Sequence, residues 1–457
     1  VHRTFLILKF IFQIFCSKNK RGLRKASGSK DAASVCFAVL SCYRNDMHFE
    51  AQLVPRTLLA LALFLTVNCG LAFLPAQPAA TLDKAEVALT ERVIAEGKPS
   101  SWWLARTYIT GESVPEVVVC GSSQIGGLQA ADANTTGKTI DFVANHHCPT
   151  LEKALHGRLG LSPYVFLSAL PGAMISDHFA IARALYKNAA PPVVVVTVSP
   201  RDFIDNTLPC AGSTEPYRFF SRYSDMQPFT NLAFNDSWSR FCYAVSNELP
   251  VRKLLGPFDS TLALLSKDAA DVKPQPIQDV SQVKAADAGE QLKFVMGGYD
   301  GNLKPGLAIV EPNMPRIFVD NTGDYKKRYK NTHPAAYDVQ MKFFDSYLSF
   351  LNGRGVQVLV VGMPLTETNR NILPAAFWQS FRDKISSTCT ACGAEYLDLS
   401  ASSDFNQTDF CDTVHLNAWG GAKLADHIAS AIAASDRLKV AVIKDRLKTA
   451  QRKNGAM

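Results

Sequence analysis

The residue types best suited to chemistry sit in two short stretches almost three hundred positions apart. In VVVCGSSQIGG, residues 117–127, three β-branched valines read as a short buried parallel strand, Cys120-Gly121-Ser122-Ser123 turns sharply, and Gln124 onward can open a helix. A serine at the carboxyl end of such a strand is exposed on one side. Its own N–H and those that follow aim at one point, so the Ser123 hydroxyl could act as a nucleophile beside a seat for a negative oxygen. The same residues also suit an ordinary strand-to-helix turn. In DFCDTVHLNAWGG, residues 409–421, Asp412 and His415 stand three apart just before a helical pattern. That spacing lets the carboxylate sit beside the imidazole within one turn, fixing its tautomer and supporting the imidazolium that forms when it takes a proton. A helix N-cap beside a surface histidine is the alternative. Brought together, Ser123, Asp412 and His415 would form a triad in the chain order Ser, Asp, His.

The elements that must position these residues alternate strand and helix from Val117 onward, the pattern of an α/β fold with a doubly wound parallel sheet of about five strands. Apolar runs predict strands over 117–120, 165–170, 193–199, 356–362 and 395–399. Helices are expected over 335–351 and 418–435. In the first, Tyr337, Met341, Phe344, Leu348 and Leu351 recur at four, three, four and three, which defines one face packed on a sheet. An insertion over 203–334 interrupts the rhythm. Its first part is aromatic, with Phe219, Phe220, Tyr223, Phe234, Trp238, Phe241 and Tyr243, and suits a lid or groove wall as well as a surface elaboration. Residues 266–291 have few large apolar side chains and read as a solvated loop.

Four features stand in a recognisable order: Gly-x-Ser after the first strand, a Gly after the second, a short polar motif after the third, and Asp-x-x-His near the end. In this the chain resembles the SGNH (GDSL-like) hydrolase superfamily over residues 117–434. It looks most like the extracytoplasmic branch that includes the D-alanyl lipoteichoic acid transfer protein, the alginate O-acetylation proteins and related uncharacterised bacterial families. The resemblance implies a flavodoxin-like sheet and serine-dependent acyl transfer without a cofactor, by Ser123, His415 and Asp412. Hydrolysis and O-acyl transfer share the acyl-enzyme and differ only in the acceptor. An oxyanion would be met by the N–H of Ser123 and by Gly172, expected to open a helix after the second strand; the glycine also suits a simple turn. Ser199-Pro200-Arg201-Asp202-Phe203 occupies the place of Gly-x-Asn-Asp, so Arg201 stands where the family has an asparagine donor. Arg201, with Asp202 beside it, could bind an anionic group of the substrate, or it could pair with Asp202 or Asp205 as part of the framework. The families resembled point to an acylated cell-envelope glycan as substrate and to an integral membrane acyltransferase as partner. A non-catalytic glycan-binding or scaffold member of the same fold is the competing expectation.

Charge limits the remaining choices. The chain of 457 residues carries a formal +7, and residues 1–56 hold all of it, with ten Lys/Arg against three Asp/Glu. The remainder is neutral, which argues against a phosphate-tracking face and hence against nucleic acid. Residues 57–74 are apolar and uncharged, with Arg56 before them and Pro75 after, the pattern of a membrane signal anchor or signal-peptide core. The chain is therefore expected outside the cytoplasm, anchored through this helix or secreted after cleavage. Met47 opens a leader-like stretch, so residues 1–46 read as an over-extended start, 75–112 as a stem containing a helix over 81–96, and 436–457 as a basic tail whose amphipathic pattern over 436–453 suits a solvated helix or a membrane-surface contact. No metal is expected: His146 and His147 are adjacent and point apart. Cys389-x-x-Cys392 suits a local disulfide in an exported protein.

Overall fold

Runs such as VVVVTV are β-branched on both faces, a composition stable only where helices cover a sheet on both sides. The computed structural model describes residues 82–84, 87, 99–248, 306, 308–332 and 334–454. The basic arm, the apolar stretch over 57–74, most of the expected stem helix and the loop over 266–291 lie outside the described residues. No helix among the described residues is long and apolar enough to cross a membrane. The chain divides into two units. One, Val1–Pro78 with Ser237–Phe258, is described only through the helix Ser237–Glu248, in which Trp238 stacks on Phe241 at 5.5 Å. The other, Ala79–Asp236 with Asp259–Met457, holds everything that follows.

This second unit is an α/β fold built on a five-stranded parallel sheet. Its strands are β1 (Val117–Gly121), β3 (Val165–Ala169), β4 (Val193–Val198), β6 (Gln357–Gly362) and β7 (Glu395–Asp398). A two-residue antiparallel pair, β2 (Ile140–Asp141) with β5 (Ile309–Val310), lies outside it. The main order is β3-β1-β4-β6-β7, with Val117 level with both Val165 and Val193. Counted within the sheet this is 2-1-3-4-5. The winding therefore reverses at β1, and the crevice that reversal leaves at the carboxyl end of β1 is where Ser122 and Ser123 emerge.

Alternate strand residues serve two helical layers. Val117, Val119, Val193, Val195, Leu359 and Val361 share a core with Leu128, Leu151, Leu155, Leu424 and Ile428. The helices of that layer are α2 (Gly126–Thr136), α3 (Pro149–Leu159), α6 (Ala418–Ala434) and α7 (Asp436–Asn454). On the other face Cys120 Sγ lies 3.4 Å from Tyr347 Oη, and Phe166 meets Tyr108 edge-on at 5.2 Å. Tyr108 belongs to α1 (Ser100–Thr110) and Tyr347 to α5 (Ala335–Gly353), beside α4 (Ile175–Leu185). The predicted face of α5 is buried, and Phe343 and Tyr347 widen it.

Three expectations change. Phe219, Phe220, Tyr223 and Phe234 are buried rather than poised as a lid or groove wall. The same short-helix region contributes Tyr217, which sits 6.1 Å from Phe343, so these aromatics extend the core over α4 and α5. The basic tail is a helix whose Leu438 and Val442, four apart, are fully buried in the sheet's core. Cys389 and Cys392 are free thiols.

Candidate active site

Ser123 leaves β1 through a single 3-10 turn, Ser123–Ile125, before α2 begins at Gly126. The first N–H groups of such a turn have no partner inside it and point outward at the carboxyl edge of the sheet. Ser123 Oγ lies 2.8 Å from His415 Nε2, across 292 residues of chain. His415 Nδ1 lies 2.5 Å from Asp412 Oδ2. Because a carboxylate only accepts, Nδ1 carries the ring proton and Nε2 presents its lone pair to the serine hydroxyl. Asp412 is fully buried and His415 is 6% exposed. The two sequence motifs therefore meet in the linear arrangement of hydroxyl, imidazole and carboxylate.

Backbone contact allows this meeting. A Cβ on Gly421, in the first turn of α6, would stand 1.7 Å from the Gly127 carbonyl oxygen, and one on Gly127 would stand 2.6 Å from Leu416 Cβ. The amino ends of α2 and α6 thus touch where only hydrogens fit, placing the residues just before each helix side by side. Asn417, two residues after His415, starts α6 by accepting from the N–H groups of Trp419 and Gly420.

The Asp-x-x-His turn is held from three sides. Asp412 Oδ1 accepts from the N–H groups of Val414 and His415 at 2.8 and 2.6 Å. Thr366, after β6, donates through both its N–H and its hydroxyl to the Thr413 carbonyl. Asn321 donates from Nδ2 to Asp412 Oδ2 at 2.6 Å and accepts at Oδ1 from the Thr413 N–H and hydroxyl, which fixes the orientation of its amide. Sequence reading missed Asn321. A lone asparagine 91 positions before its partner, inside an irregular stretch, carries no periodic or motif signal.

Gly172 does not open a helix. Its φ of +74° lies in the left-handed region, and α4 begins only at Ile175. The turn follows β3 at the same sheet edge, where the Leu170 N–H donates to the Gly121 carbonyl just before Ser122. Arg201 anchors it: Nη2 donates to the Gly172 carbonyl at 2.8 Å and Nη1 to the Ala173 carbonyl at 2.6 Å. The guanidinium also lies 3.5 Å from Asp202 and 3.3 Å from Asp205, and Arg328 pairs with Asp205 as well. Asp202 Oδ2 is occupied by the N–H and hydroxyl of Ser199. Burial works against the charge on Arg201, but Asp205 and Asp202 outweigh it and raise its pKa. Asp177, whose Oδ2 accepts from the Met174 N–H at the end of the same turn, is pushed up to about 7 by burial. Arg201 is 8% exposed and its donors are spent on the framework.

An apolar cavity of about 80 Å³ opens beside Ser123 and His415. Phe142 and β5 with the strand's continuation to Ile317 form one wall, Leu416 and Trp419 another. The described residues contain no cluster of His, Cys, Asp or Glu suited to a metal ion. His146 is buried with Nδ1 against the Leu167 carbonyl, and burial lowers its pKa to about 4. His147 turns the other way, to Glu152. No known protein-family model matches the chain, and no curated protein matches it either.

Proposed function

We propose that this chain is a serine-dependent acyl esterase or O-acyltransferase of the SGNH type. The observation that carries the reading is the 2.8 Å approach of Ser123 Oγ to an imidazole whose other nitrogen is held by a buried carboxylate. The 2-1-3-4-5 order, which is the flavodoxin-like one, and the position of Ser123 at its switch point support it.

In this reading Ser123 Oγ bonds to the acyl carbonyl carbon while its proton passes to His415 Nε2. The carbonyl oxygen takes the electron pair and is met by the N–H groups of Ser123 and Gly172. Collapse breaks the ester C–O bond, and the leaving oxygen receives the proton from His415. Water, or a hydroxyl of an envelope glycan, then attacks the acyl-serine, gives its proton to His415, and restores Ser123. Arg201 acts as a positioning residue that holds the Gly172 turn, and Asp202 orders the strand end that carries Arg201. The leader-like pattern over 57–74 supports an exported, membrane-anchored setting beside an integral membrane acyltransferase.

Arg201 also favours a second reading, a glycan-binding or scaffold protein that keeps the fold without turnover, because the asparagine donor of the family resembled is replaced by a side chain committed elsewhere. A fluorophosphonate probe separates the two. Labelling of the full chain that disappears in Ser123→Ala and persists in Ser122→Ala supports the enzyme; absence of labelling in folded protein supports the binder. Release of the acyl group from an aryl ester, with and without a polysaccharide acceptor, then divides esterase from transferase.

A further inference from the structure

We infer that the acyl group accepted by this site is an uncharged aliphatic chain of about four carbons, rather than acetyl or an aminoacyl group. The inference rests on the proposed acyl-serine chemistry and concerns what fills the cavity beside it. The cavity of about 80 Å³ begins at Ser123 and His415 and continues along Ala130, Phe142, Ile309, Met314 and Trp419. At ~30 Å³ for each water-sized group, it has room for roughly three groups beyond the reacting atoms. An acetyl methyl would leave most of it empty. Its depth is set by bare backbone: a Cβ on Gly126 would meet the Phe142 ring at 3.0 Å, so the ring packs down on the start of α2. Gln129 Nε2 fixes that corner by donating to the Phe142 and Asn145 carbonyls.

The polar groups that line the cavity offer nothing to an ammonium. Asn417 is committed at both amide atoms, accepting from Trp419 and Gly420 and donating to the carbonyls of Thr408 and Phe410. The Cys411 thiol donates to the His415 carbonyl at 3.3 Å. Glu311 is the carboxylate among the lining residues, and it is exposed. An α-ammonium on the acyl group would shed its water against Phe142 and Ile309 without a buried partner. Each methylene that leaves water for this cavity is instead worth about fourfold in transition-state binding.

The test uses the full chain and p-nitrophenyl acetate, butyrate, hexanoate, decanoate and alaninate, with each rate divided by that of the uncatalysed ester. Butyrate should exceed acetate by about tenfold or more in kcat/KM, two buried methylenes at about fourfold each, and hexanoate and decanoate should gain nothing further. Alaninate should fall below acetate. Ala130→Phe and Met314→Trp, each adding bulk to the cavity lining, should each lower the butyrate-to-acetate ratio at least tenfold. The ratio is internal to each protein, so partial unfolding of one variant does not imitate the effect. A maximum at acetate or alaninate, or ratios unmoved in both variants, overturns the inference while leaving the nucleophile intact. Turnover unchanged in Ser123→Ala overturns the underlying reading instead. Calorimetry of butyrate on Ser123→Ala supplies a readout without chemistry: binding that Met314→Trp abolishes supports the cavity assignment, and no binding counts against it.

Discussion

The two halves of the carboxyl edge are built on opposite principles. On one side the amino ends of α2 and α6 meet through bare backbone at Gly127 and Gly421, and the alignment of Ser123 with His415 follows from shape. On the other side the Gly172 turn is held by a buried knot of charge in which Arg201 faces Asp202 and Asp205 and spends two donors on carbonyls. A seam of shape tolerates changes of pH and salt but not of volume. A knot of charge tolerates neither loss of a partner nor a change in proton count.

That contrast makes its own tests. The largest effect is expected from Arg201→Met, which leaves Asp202 buried without its cation while Asp205 keeps Arg328, and should cost about 3–5 kcal/mol in urea unfolding. The deficit should shrink on acidification, as the stranded Asp202 carboxylate takes up a proton; a deficit constant with pH would mean that packing, not charge, holds the turn. Gly421→Ala comes next, at about 1–3 kcal/mol from overpacking against the Gly127 carbonyl. Its deficit should be flat with pH, and ester turnover should drop on the order of 100-fold because the hydroxyl and imidazole are pushed apart. Normal turnover in a stable Gly421→Ala protein would show that the seam does not set the alignment.

Asp177→Asn sharpens the comparison through pH. Burial raises the Asp177 carboxyl from 3.8 to about 7, so between those values the folded protein holds a proton that the unfolded chain has released. Its contribution is complete below about pH 4 and is lost as pH rises through about 7. Melting curves of wild type should therefore lose ground to Asp177→Asn over that window, and parallel curves would remove Asp177 from the knot. The smallest effect is assigned to Asn321→Ala, about tenfold in kcat, or ~1.4 kcal/mol, with little change in KM. A change confined to KM would place Asn321 against substrate instead.

Much of this arrangement is legible in the residues themselves. Valine runs declare β1 and β4 because strands buried on both faces have no polar alternation to confuse them, and the four-three spacing of α5 gives its buried face directly. Asp412 and His415 are readable because their partnership is local, three residues within one turn. What escapes is whatever depends on distance. The pairing of Arg201 with Asp202 or Asp205 is one of two roles its sequence position offers, but nothing there reveals two carbonyls 28 and 29 positions earlier within its reach. The aromatics of 217–234 look like a lid, since short broken helices carry no period that names the layer they join. The Gly172 turn fails for a related reason: a glycine after a strand is equally compatible with a helix start and a left-handed turn, and the charge beneath it decides.

The contact of Gly127 with Gly421 also has a consequence in time. Four of the five sheet strands lie between these residues in the chain, so Ser123 has no imidazole beside it until α6, which follows the last strand, has docked. A growing or half-folded chain would carry an inert serine. On the proposed chemistry, acquisition of ester-cleaving activity during refolding would then mark a late step of assembly, arriving after the bulk of the helical signal rather than with it.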